Sequence, residues 1–89
     1  MPFDIVLAPE AVEDFKALRA NVRADIRTAL ETHLRHEPEK PSRSRIKRLR
    51  GLRQPQYRLR VGDWRVTFRH CGDNTVEIMS VLHRREAYR

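Results

Sequence analysis

Cysteine, long apolar runs and negative charge across the middle of the chain are what this sequence of 89 residues has least of. A single cysteine, Cys71, excludes an internal disulfide, and the expected compartment is a reducing cytosol. No stretch approaches the roughly 20 apolar residues of a membrane helix. The opening MPFDIV has neither the basic start nor the apolar run of a signal peptide, so no membrane partner is expected. The four histidines, His33, His36, His70 and His83, lack metal-ligand spacing, and neither metal nor cofactor is expected. Internal repeats and low-complexity tracts are absent. The length suits one domain spanning residues 1–89. Such a chain buries only about two-thirds of its unfolded surface, so its core is small.

What the chain does have is positive charge, unevenly placed. Residues 1–42 hold six Lys/Arg against eight Asp/Glu, whereas residues 43–69 hold ten against one, a local net charge of +9. The last twenty residues balance at three each. One segment therefore carries the basic character, and its natural partner is a polyanion or a strongly acidic protein. The plainer alternative is a solvated basic face that aids solubility.

Phe3 to Ala8 (FDIVLA) is short, apolar and partly β-branched, which predicts a buried strand. Pro9 suits the first position of a helix, and Glu10, Glu13 and Asp14 suit its start. Ala11, Val12, Phe15 and Leu18 continue that helix to about Ala20. Asn21 is a good N-cap for a second helix, whose stripe runs through Val22, Ile26, Ala29, Leu30 and Leu34 until Pro38. The segment IKRLRGL reads as a packed turn or irregular stretch. Strands follow at Gln56–Val61, Trp64–Arg69 and Thr75–Leu82. The expected class is α+β in the order β-α-α-β-β-β, with a helical hairpin on one face of the sheet.

The two residues Gly62 and Asp63 join the first pair of these strands, as a primed hairpin turn would. That turn sets Val61 opposite Trp64 and Arg60 opposite Arg65. Tyr57, Leu59, Val61, Trp64, Val66 and Phe68 then face the core, with Arg58, Arg60, Arg65, Thr67 and Arg69 on the other side. Like charges directly opposite destabilise a sheet, by up to ~1 kcal/mol. Repulsion alone predicts that Arg65→Thr costs no stability. A local conflict of this kind marks function more often than accident. Guanidinium forks match phosphate oxygens and stabilise charge that develops on a reacting phosphoryl group.

LRGLRQPQYRLRVGDWRVTF followed by VEIMSVLHRREAYR resembles the RelE/ParE superfamily of bacterial toxins from toxin–antitoxin pairs. The likeness spans nearly the whole chain, and the RVGDWRV and HRR…Y stretches are its specific parts. The resemblance implies a curved antiparallel sheet and a bacterial, cytoplasmic toxin. In the RelE branch that toxin is an endoribonuclease that cuts messenger RNA, typically on the ribosome. By position, the family's site falls on Arg58, Arg60, Arg65, Arg84 and Tyr88. Lys47, Arg48 and Arg69 extend the phosphate-binding set within the same basic segment.

One departure affects the chemistry. RelE-like enzymes often carry lysine where this chain has Arg58 and Arg60, and arginine does not give up its proton to act as a general base. Attack of a 2′-hydroxyl on its own phosphate still needs a proton acceptor and a donor. The candidates are His83, as histidine titrates near neutrality, Tyr88 among arginines, and Glu86. Arg84 would stabilise the phosphorane and the leaving group. His83 reads equally well as a strand-end histidine packed on the sheet. The ParE branch shares the fold, lacks the nuclease set and poisons DNA gyrase, which gives a rival reading. A catalytically silent RNA-binding module is a third. Either toxin reading implies an acidic antitoxin segment that orders on binding.

Overall fold

The computed structural model describes residues 3–35, 46–49 and 56–87. Strand β1 (Asp4–Leu7) leads into helices α1 (Pro9–Lys16) and α2 (Ala20–Leu34). Strands β2 (Ile46–Leu49), β3 (Gln56–Val61), β4 (Trp64–Cys71) and β5 (Thr75–His83) follow, then a one-turn helix α3 (Arg84–Ala87). The sheet order is β1-β5-β4-β3-β2.

The α+β class and the helical hairpin are as expected, and two details of the sheet differ. Ile46–Leu49 is a strand, paired antiparallel with β3, where an irregular segment was expected. The sheet is also mixed, because β1 runs parallel to β5. The amide of Asp4 donates to the carbonyl of Asn74 in the β4–β5 turn (2.8 Å), so β1 enters beside the start of β5 and runs in the same sense. At its far end the amide of Ala8 donates to Ile78 O (2.9 Å) before Pro9 starts α1.

Helix α2 begins at Ala20 with Arg19 as its N-cap, so Asn21 lies inside the first turn. The link between the helices is set by Leu18, whose buried side chain anchors it while its amide donates to Phe15 O. The core joins Ala11, Phe15, Ile26, Leu30 and Leu34 of the helices to Tyr57, Leu59, Val66, Phe68, Val76 and Ile78 of the sheet. Tyr57 and Phe68 stack at 5.5 Å. Trp64, expected in the core, is only half-buried at its rim. Helices α1 and α2 both pack on this one face of the sheet.

Candidate nucleic-acid interface

Geometry here follows from one turn. Gly62 has φ of +58° and Asp63 does not share the left-handed region, as in a II′ hairpin with glycine first. The turn fixes the β3–β4 register at Val61↔Trp64, Arg60↔Arg65, Leu59↔Val66 and Arg58↔Thr67. Across β2, Lys47 lies opposite Arg58. Partners in an antiparallel ladder point the same way. Lys47, Arg58, Arg60 and Arg65 therefore share the face away from the helices, together with Thr67 and Ser80.

Arg65 relieves the repulsion expected of its pairing with Arg60. It is the one buried charged side chain among the described residues, at 8% exposure, while Arg60 is exposed. Its Nη1 folds back along the strand and donates to Gly62 O (2.8 Å) and Trp64 O (2.9 Å). The guanidinium thus closes the β3–β4 turn from above. Arg84 meets the same turn from β5: its amide donates to Asp63 O (2.7 Å), and its Nε lies 3.7 Å from Asp63 Oδ1. Asp63 is the single acidic residue of the basic segment, and that isolation was the signal for its role. Arg60, Arg65 and Arg84 converge on one end of the sheet.

The remaining candidates are dispersed. Arg69 is ion-paired with Glu77 on β5 (Nε–Oε1 2.7 Å) at the opposite end of the face. The bond from Glu77 holds its guanidinium still more firmly protonated, with smaller help from Glu77 charge and Cys71. Arg48 lies opposite Tyr57 and so belongs to the helix side of the sheet edge, away from Lys47. His83 lies opposite Trp64, also on the helix side. The two rings meet edge-on at 5.3 Å and 84°. Tyr88 lies outside the described residues. Guanidinium groups gathered at one end of a sheet, that of Arg65 held by backbone carbonyls, suit oxyanions and the charge of a reacting phosphate.

The fold is that of a small toxin from a toxin–antitoxin pair. The chain belongs to the family described as the ParE toxin of the type II toxin–antitoxin system parDE, whose model matches residues 5–88. Among solved structures, the RelBE2 toxin–antitoxin complex of Mycobacterium tuberculosis is 26% identical, with a TM-score of 0.75 over 94% of this chain and 100% of that one. The archaeal RelE–RelB complex of Pyrococcus horikoshii gives 21% identity and a TM-score of 0.76 over 94% and 97%. The isolated RelE toxin of E. coli gives 18% and 0.70 over 97% and 95%. No curated protein matches the chain.

Proposed function

We propose that this toxin is an endoribonuclease that cuts messenger RNA, in association with the ribosome, by attack of a 2′-hydroxyl on the adjacent phosphate. The observation that carries the reading is the convergence of Arg60, Arg65 and Arg84 at one end of the sheet face that also bears Lys47 and Arg58. Lys47, Arg58 and Arg60 hold the RNA backbone, in contacts that weaken with salt. Arg65 and Arg84 stabilise charge on the reacting phosphate. Tyr88, which follows α3, is the proton-transfer candidate. An acidic antitoxin segment neutralises the same face, a reading supported by solved relatives that are themselves toxin–antitoxin complexes.

Arg84→Ala tests the assignment. Transition-state charge makes it slow cleavage by about 10²–10³-fold while weakening RNA binding far less. Equal losses in binding and cleavage would make Arg84 a mere anchor.

A second reading has its own support. The matching family is named for ParE, and among the described residues no histidine shares the arginine-bearing face. On that reading the face binds DNA gyrase and no RNA is cut.

A further inference from the structure

Helix α3 starts without a linker: β5 ends at His83 and the helix begins at Arg84. The first amides of any helix lack partners within it. Here the Arg84 amide is met by Asp63 O at 2.7 Å, and the Arg85 amide by His83 Nδ1 at 3.3 Å. The imidazole thus does what a serine or aspartate side chain does at an ordinary N-cap, accepting from the second helical residue. Trp64 holds the ring edge-on from the neighbouring strand. Both contacts leave His83 on the opposite side of the sheet from Arg60 and Arg65.

We propose that His83 is a positioning residue: through Nδ1 it caps α3 and thereby fixes the backbone that carries Arg84. The activity arm of this inference rests on the nuclease reading; the structural arm does not. The cap needs a lone pair on Nδ1, so it exists only with the neutral ring. Protonation puts a second N–H against the Arg85 amide and releases the start of α3. Charged groups on the elements next to His83 include Asp63 of the turn, Asp25 of α2, which lines a recess with Trp64, and Arg84, Arg85 and Glu86 of α3. Arg60 and Arg65 face the other way.

The experiment compares the whole protein with His83→Ala, His83→Asn and His83→Gln, reading water exchange of the Arg85 amide by NMR together with cleavage of a messenger RNA. The oxygen of asparagine reaches the place of Nδ1, whereas glutamine reaches that of Nε2. Alanine and glutamine should speed Arg85 exchange about tenfold, the size of a lost cap, and asparagine should restore most of the protection. Cleavage should follow the same order of variants. Equal Arg85 exchange in all four proteins would overturn the proposal. So would an asparagine variant that keeps the amide protected yet loses cleavage as fully as glutamine, since His83 would then touch the reaction itself. If the exchange pattern holds while wild type cuts no RNA, the cap stands and the nuclease reading falls.

Discussion

Arg65 sits one residue past the hairpin turn, opposite another arginine, a pairing that by charge alone weakens the sheet. The pairing was legible because GD between two alternating runs fixes the register. The fate of the guanidinium was not, because it depends on two carbonyl oxygens that come within reach only once the turn has closed. Repulsion is therefore the smaller effect. Hydrogen bonds from a charged group contribute about 1.5–3 kcal/mol, so Arg65→Thr should lower stability by roughly that amount in urea unfolding. Arg60→Thr, at an exposed position, should stay within about 0.5 kcal/mol of wild type. Equal and negligible effects would show that the turn holds without Arg65. The same limit applies to His83: its type and place were readable, but the face it takes depends on the β4–β5 register, which no local pattern sets.

Element boundaries were mostly legible, and the misses have local causes. Strand β2 is four residues long and half basic, too short for alternation to stand out. Pairing with β3 is what makes it a strand. Strand β5 hides a subtler feature. Its pairing with β1 stops at Ile78, and its register against β4 shifts between Thr67 and Phe68, so Met79 has no partner there. Beyond β1, Asp14 of α1 reaches over and accepts the Val81 amide through Oδ2 at 2.9 Å. The sequence placed Asp14 only as an acidic residue near a helix start. Asp14→Ala leaves the part-buried amide of Val81 unmet and should cost about 1–3 kcal/mol. Asp14→Asn keeps an acceptor and should cost less, with amide exchange at Val81 following the same order. In the core, Phe68 is fully buried and stacked on Tyr57, so Phe68→Ala should cost about 3–5 kcal/mol. Trp64→Ala, at the rim, should cost less. The reverse order in thermal or urea unfolding would put the tryptophan in the core after all.

For the whole molecule, charge distribution decides more than fold. A net charge of +9 over residues 43–69 was visible at once, and the sheet spreads part of it over one face. The sequence did not show that Arg48 points away or that Arg69 is matched by Glu77, because both depend on partner strands. RNA affinity should therefore fall with salt, and Lys47→Ala should lower the slope of log K against log salt by about 0.7, one phosphate contact on a single strand. Arg48→Ala should leave that slope unchanged. The most direct measurement of the central claim is made in cells, by inducing the protein and following two readouts over the same minutes: 5′ ends in messenger RNA and supercoiling of a plasmid. The expected result is new 5′ ends within coding sequence before supercoiling changes, and their loss in Arg84→Ala. Intact message together with collapsing supercoiling would contradict it and assign the arginine face to gyrase.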